Sequence, residues 1–223
     1  MKLTKDQILD DISALPDGYK TAAVDVLIRK YIKSGADVSD LREYVLEHRD
    51  LHRIYYFVSL KQIKSPSERM KFIHENLIFN DWWHTDQLIK FIRDLDFDTA
   101  FNYAREYVKS ENPYIRRWGY VMFISKLGRH SEKNLEKILS LFKNDDHYTN
   151  QMAEGWLICE LAIFFPEEML EWFMKENYLS YKINSKAIQK ICDSYRITDE
   201  VKERFKSLRE TMKAKGKDYD TQE

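Results

Sequence analysis

The chain has 223 residues and a formal net charge of −1, with 36 Lys and Arg against 37 Asp and Glu. This length is sufficient for one well-buried domain or an array of repeats. The near-neutral charge argues against a surface that is basic throughout, so any anionic partner must be bound by a local patch. Only 6 Gly and 4 Pro are available for turns, against 14 Tyr, 12 Phe and 5 Trp, which favours helices.

No segment approaches the roughly 18 uninterrupted apolar residues of a membrane span, and the N-terminus lacks the apolar run of a signal peptide. We therefore expect a cytoplasmic protein without membrane contacts. Cys159 and Cys192 are far apart and lie in apolar helical patterns, so we expect two free thiols and no disulfide.

Apolar residues recur at spacings of three and four along nearly the whole chain, and alternation typical of strands is absent. One example is the set Val24, Leu27, Ile28, Tyr31 and Ile32; a second is the set Leu135, Ile138, Leu139 and Phe142. This spacing places the apolar side chains on one face of an α-helix. The pattern predicts an all-α protein.

The helical segments are separated by short stretches with helix-boundary chemistry, several of which place proline in a first helical turn with Ser or Glu as a capping residue. These breaks lie at 15–18, 34–40, 64–68, 110–113, 127–132 and 164–168. Helices taken in pairs of about 35 to 45 residues are typical of HEAT-like repeats. We predict a single HEAT-like helical-repeat solenoid over residues 1–223, with a concave binding face and a disordered tail of about ten residues.

The stretch NDWWHTDQL, residues 80–88, concentrates two tryptophans, a histidine and a carboxylate. In a helix, Trp82 and Asp86 are four residues apart and share one face, so ring and carboxylate can contact one ligand. Trp83 lies on the next face, and His84 is expected to be solvated or to cap the helix. The ordinary alternative is that the tryptophans belong to the core or to an interface.

Basic residues are concentrated in two later stretches. Between Arg105 and Lys143 there are nine Lys or Arg, including Lys126, against four Glu; between Lys182 and Lys217 there are eleven, including Lys186 and Lys190, against five acidic residues. Both stretches can be solvated helix faces. They can also follow a phosphate backbone while the whole molecule remains near neutral.

The motif NPYIRRWGY places Arg116 and Arg117 at a helix start between Tyr114 and Trp118. Guanidinium groups beside aromatic rings are common at nucleic-acid contacts and also in ordinary packing. We take Tyr114, Arg116 and Trp83, together with Lys126, Lys186 and Lys190, as candidate DNA contacts.

The common catalytic motifs are absent. His48 and His52 in HRDLH share a helical face, but the segment lacks the glutamate of HExxH, so we expect no metal site. The sequence contains no GxSxG, no phosphate-binding glycine loop and no GxGxxG. The remaining candidates for chemistry are carboxylates, arginines and tryptophan rings.

On these residues the chain resembles the AlkD-like DNA alkylation repair family of HEAT-like glycosylases. NDWWHTDQL is similar to the family's W-x-x-x-D signature, NPYIRRWGYVMFI to its arginine-bearing helix, and NQMAEGWLICELAIFFPEEMLEWF to its later tryptophan helix. The segment SKAIQKICDSYRITDEVKERF resembles its C-terminal repeats, so the resemblance spans roughly residues 10 to 210. The adjacent Trp82 and Trp83 leave both rings as candidates for the first tryptophan.

The resemblance implies a DNA glycosylase that excises positively charged N3- or N7-alkylated purines from duplex DNA. It implies Asp86 as the catalytic carboxylate, Arg117 as the guanidinium near it, and Trp82 and Trp156 as the rings lining the cleft. It implies no metal and no organic cofactor, and we expect a monomer whose partner is alkylated duplex DNA. The alternative is a non-catalytic HEAT-like scaffold that binds DNA structure or a protein partner.

Overall fold

The computed structural model describes residues 2–124, 132–175 and 179–219. Within these residues the regular structure is helical, and the β-type pairing consists of one isolated bridge between Lys2 and Asp37. The all-α prediction is therefore confirmed.

The chain divides into two compact units, residues 1–95 and residues 96–223. The single-domain organisation stays a prediction. In the first unit the α-helices are α1 (Lys5–Ser13), α2 (Thr21–Lys33), α3 (Arg49–Gln62), α4 (Pro66–Glu75) and α5 (Trp82–Asp86), with 3-10 helices at Ser39–Tyr44 and Ile89–Phe91.

The second unit has a 3-10 helix at Met122–Ile124 and seven described α-helices. These are α6 (Phe97–Tyr107), α7 (Pro113–Val121), α8 (Glu132–Leu139), α9 (Tyr148–Phe164), α10 (Pro166–Met174), α11 (Tyr181–Asp193) and α12 (Asp199–Tyr219). The predicted C-terminal tail begins inside α12, so its first part is helical, and residues 220–223 lie outside the described residues.

Local chemistry at the predicted breaks explains several of the helix starts. Pro66, Pro113 and Pro166 each occupy the first turn of a helix, where their missing N–H has no intrahelical partner to lose. Ser65 and Asn112 cap α4 and α7 through side-chain oxygens that accept backbone N–H groups.

In the second unit, alternate helices pack side by side: α7 on α9, and α9 on α11, with α6 on α7 and α12 on α11. Two glycines permit the close approaches. A Cβ at Gly155 of α9 would lie 3.3 Å from the backbone nitrogen of Ala187 in α11, and one at Gly119 of α7 would lie 2.8 Å from Cγ1 of Val108. This alternate-helix packing is consistent with a helical repeat solenoid.

The first unit has its core around α3, most of whose side chains are buried. The helix contributes apolar residues together with His52 and Tyr56, both of which have 0% of their surface exposed. The buried imidazole of His52 packs against Trp83 and His84, in the stretch that contains Trp82 and Asp86.

Candidate active site

Trp82 and Asp86 begin and end α5, a helix of five residues. Asp81 caps it, since its Oδ1 accepts the backbone N–H of Trp82 at 2.6 Å. The Trp82 side chain is 54% exposed, which is unusual for so large a ring, and Asp86 is half-buried. The helix therefore holds an exposed ring and a partly exposed carboxylate one turn apart, as the sequence spacing predicts.

Thr85 links the two ends of this helix. Its Oγ1 lies 2.8 Å from the carbonyl oxygen of Trp82 and 3.1 Å from Oδ1 of Asp86, so its single proton is shared between two acceptors. Thr85 is fully buried. The hydroxyl contacts Oδ1 of Asp86 and so helps to orient the carboxylate.

The two adjacent tryptophans have different surroundings. The Trp83 ring packs edge-on against His52 at 5.4 Å and His84 at 4.0 Å, and the Arg49 guanidinium lies 5.4 Å from its centre. Trp83 is half-buried, whereas Trp82 presents its ring to solvent. These surroundings favour Trp82 as the ring available to a ligand, and they give Trp83 a packing role as well.

Below Trp83, two imidazoles stack on each other. The rings of His52 and His84 are 3.7 Å apart with an interplanar angle of 10°, and the two residues are 0% and 3% exposed. His84 Nδ1 accepts the backbone N–H of Asn80 at 3.2 Å, and Nδ1 of His52 lies 2.9 Å from Nε2 of Gln87. The expectation that His84 is solvated or a helix cap is therefore wrong, because α5 folds over α3 and buries its ring.

The stacked imidazoles contact residues on both sides of Asp86, namely Asn80 and Gln87. Their burial also changes their pKa values. Burial, which disfavours the charged form, lowers the pKa of His84 to about 4 and that of His52 to about 2, from an ordinary value of 6.5. Asp81 opposes the shift at His84, and the neighbouring His84 adds to the shift at His52. Both rings are consequently neutral in the folded protein at physiological pH.

These pKa values predict acid sensitivity of the fold. As pH falls below 6.5, the unfolded chain takes up protons on both histidines before the folded protein does, so stability is complete above that pH and declines as pH falls towards 4. His84→Asn, whose amide oxygen can replace Nδ1 as acceptor for Asn80, should abolish the share due to His84. We expect that share to be on the order of 3 kcal/mol between pH 6.5 and 4, from denaturant unfolding.

A matched control is His48→Asn. His48 caps α3 by accepting the N–H of Asp50, which asparagine can also do, and its side chain is 43% exposed. This variant should keep the acid sensitivity of the parent. Equal acid sensitivity in the parent and in His84→Asn would show that the buried stack does not determine it.

Arg116 and Arg117, adjacent on α7, have separate partners. Arg116 makes a bidentate ion pair with Asp145, with Nε to Oδ2 at 2.6 Å and Nη2 to Oδ1 at 3.1 Å, and it also donates to two backbone carbonyls. The Asp145 side chain is 4% exposed. The pair joins the N-terminal part of α7 to the segment before α9, so the Arg116 guanidinium is engaged within the protein.

Arg117 is 5% exposed and its Nη1 donates to the carbonyl oxygen of Thr149, at the start of α9, at 2.7 Å. Trp156 lies further along α9, directly after Gly155, and is half-buried. Arg117 and Trp156 thus belong to the second unit, whereas Trp82 and Asp86 belong to the first. That the four residues act on one substrate stays a prediction.

The other predicted DNA contacts in the second unit differ in their burial and in the groups beside them. Tyr114 is half-buried and packs edge-on against His147 at 6.1 Å, and Lys190 is half-buried on α11. The ammonium of Lys186 lies 5.2 Å from the ring centre of Tyr148, which is 61% exposed. Tyr148 is not among the contacts predicted from the sequence. It is the first residue of α9, directly after His147, which caps the helix by accepting the backbone N–H of Thr149. Lys126 lies outside the described residues.

Within residues 2–124, 132–175 and 179–219, no three His, Cys, Asp or Glu side chains are grouped so that they can hold a metal ion. None of the described helices is both long and apolar enough to cross a membrane.

The chain matches a known protein family. A family model described as "DNA alkylation repair enzyme" matches residues 18–191, well over half of the chain. The matched range contains Trp82, Asp86, Arg117 and Trp156. No curated protein and no solved structure gives a match.

Proposed function

Because the chain belongs to the family of DNA alkylation repair enzymes, we propose that it is a DNA glycosylase for cationic alkylpurines. The substrate is an N3- or N7-alkylated purine in duplex DNA, and the reaction is hydrolysis of its N-glycosidic bond. The observation that carries the proposal is α5, where an exposed Trp82 and a partly exposed Asp86 lie one turn apart.

A carboxylate suits this reaction because of where charge develops. An alkylated purine is already cationic and leaves as a neutral base, so no general acid is needed. The barrier lies in the oxocarbenium character that grows on the deoxyribose, and a fixed negative charge stabilises it. In this proposal Asp86 faces that cation and positions or deprotonates the attacking water, with Thr85 holding its Oδ1 in place.

In the same proposal, tryptophan rings stabilise the positive charge of the oxocarbenium ion. A tryptophan face attracts a cation through its quadrupole, and such a contact is worth about 1 to 2 kcal/mol when desolvated. Trp82 is the first ring we assign to this role, because its side chain is exposed, and Trp156 is the second. Since the leaving group is activated by its own charge, the reaction does not require a deep base-flipping pocket.

We also propose that the second unit contributes cations for the DNA backbone. Lys186 and Lys190 on α11 are the candidates, and the Lys186 ammonium lies beside the exposed ring of Tyr148 at the start of α9. Arg117 is 5% exposed and donates to the Thr149 carbonyl oxygen, so we assign it no contact with the DNA backbone. Arg116 is not carried into this proposal, because Asp145 already occupies its guanidinium.

A base-release assay on duplex DNA containing N7-methylguanine tests the proposal. We expect release of the free base well above the spontaneous rate, in buffer that contains a metal chelator. If the protein binds the duplex but the base is released only at the spontaneous rate, the chain functions as a non-catalytic scaffold.

A further inference from the structure

Two phenylalanines of the first unit form a platform for cations. The rings of Phe57 on α3 and Phe91, in the 3-10 helix after α5, meet edge-to-face at 4.9 Å, and both residues are buried. The ammonium of Lys90 lies 3.9 Å from the centre of the Phe57 ring and 5.4 Å from that of Phe91. The Arg53 guanidinium lies 4.1 Å from the Phe57 ring, and the Lys61 ammonium lies 5.8 Å from the Phe91 ring.

This arrangement places several positively charged side chains close to Lys90. Desolvation lowers the pKa of Lys90, and the neighbouring Arg53, Lys61 and Arg93 lower it further. Asp25 opposes the shift, but its Oδ1 already accepts two hydrogen bonds from Arg53, at 3.0 and 2.8 Å. Lys61, Lys90 and Arg93 are all exposed, so their repulsion can be relieved by an anion from solution.

The same cluster is connected to the candidate active site. Arg53 Nη1 donates to Oε1 of Gln87 at 3.0 Å, and the other end of that amide contacts His52, which stacks on His84. Gln87 directly follows Asp86. A ligand held by the cations therefore lies on the same unit as the proposed catalytic carboxylate, and Gln87 links Arg53 of the cluster to the segment that contains Asp86.

We propose that Lys61 and Lys90, on the Phe57–Phe91 platform, together with Arg93, two residues after Phe91, bind the phosphodiester backbone of duplex DNA. The inference rests on the proposed function for the identity of the ligand, and it adds a phosphate-binding surface that neither basic stretch of the sequence contains. Phosphates suit this surface because the cations come from separate segments: Lys61 from α3, Lys90 from the 3-10 helix, and Arg93 from the residues that follow it. The charges of a DNA strand are likewise spread along its length. The buried rings orient the lysines without neutralising them.

Salt dependence of binding to an undamaged duplex measures these contacts. Each phosphate contact contributes about 0.9 to the slope of log affinity against log salt concentration. Lys61→Gln combined with Lys90→Gln should therefore lower the slope by about 1.8, and Lys61→Gln alone by about 0.9. The double variant with arginine at both positions should keep the slope of the parent.

The matched control neutralises Lys20 and Lys33, two exposed lysines at the ends of α2 in the same unit. This double glutamine variant has the same net charge as the platform variant and should retain the slope of the parent. An unchanged slope in the platform variant, or an equal loss in the control, would overturn the proposal. A further outcome would also overturn it: the platform substitutions weaken binding of poly-glutamate but leave binding of DNA unchanged. That result would assign the surface to an acidic protein partner.

Binding and excision are measured separately, so the two proposals can fail separately. A parent that binds the undamaged duplex through the platform and releases no N7-methylguanine supports the phosphate surface and contradicts the glycosylase. A parent that releases the base, with a salt slope that the platform variant does not change, contradicts the phosphate surface alone. A parent that does not bind duplex DNA overturns both.

Discussion

Asp86→Asn is expected to slow excision of N7-methylguanine by roughly 10²-fold or more, because it removes the negative charge that faces the oxocarbenium ion. Folding and duplex binding should be nearly unchanged. The asparagine side chain has the same shape, and its Oδ1 can still accept the hydroxyl of Thr85. Single-turnover base release measures the chemical step, and duplex binding and denaturant unfolding are measured on the same preparation.

The matched control is Asp81→Asn, the same change of charge five residues earlier. Asp81 caps α5 through its Oδ1, and asparagine is an equally good capping residue, so the helix should be retained. We expect a rate within a few-fold of the parent. Equal rates in Asp86→Asn and the parent would remove the carboxylate from the mechanism, and equal losses at Asp81 and Asp86 would indicate a general effect of negative charge.

Arg116→Gln is expected to destabilise the fold by roughly 2 to 4 kcal/mol, since it leaves the buried Asp145 carboxylate without its counter-charge. The effect falls short of the largest such losses because Asp145 keeps hydrogen bonds from the backbone N–H of His147 and from Nδ2 of Asn150. Urea unfolding should show a lower midpoint with an unchanged slope.

Arg105→Gln is the control for this change, since Arg105 is an exposed residue of the neighbouring α6. Its effect on the free energy of unfolding should stay within about 0.5 kcal/mol. If Arg116→Gln instead unfolds like the parent and weakens duplex binding, Arg116 contacts DNA, as the sequence pattern alone indicates, and its pairing with Asp145 is dispensable.

The helical character of the chain follows from its sequence, and the structure confirms it. Apolar spacing of three and four and proline in first turns act within a few residues, through the hydrogen-bond geometry of one helix. Pro66, Pro113 and Pro166 therefore begin helices at the breaks that the sequence marks. The four-residue spacing of Trp82 and Asp86 is local in the same way, and α5 retains it.

Side-chain roles depend instead on which helices pack together, and local pattern does not encode that choice. Arg116 and Arg117 are chemically identical neighbours, yet Arg116 pairs with Asp145, 29 positions further along the chain, whereas Arg117 donates to the carbonyl oxygen of Thr149. His84 lies in a stretch of mixed polarity, and it is buried because α5 folds over His52 of α3. Phe57 and Phe91 likewise become one platform only when α3 meets the 3-10 helix that follows α5, since desolvation and charge pairing act between elements distant in sequence.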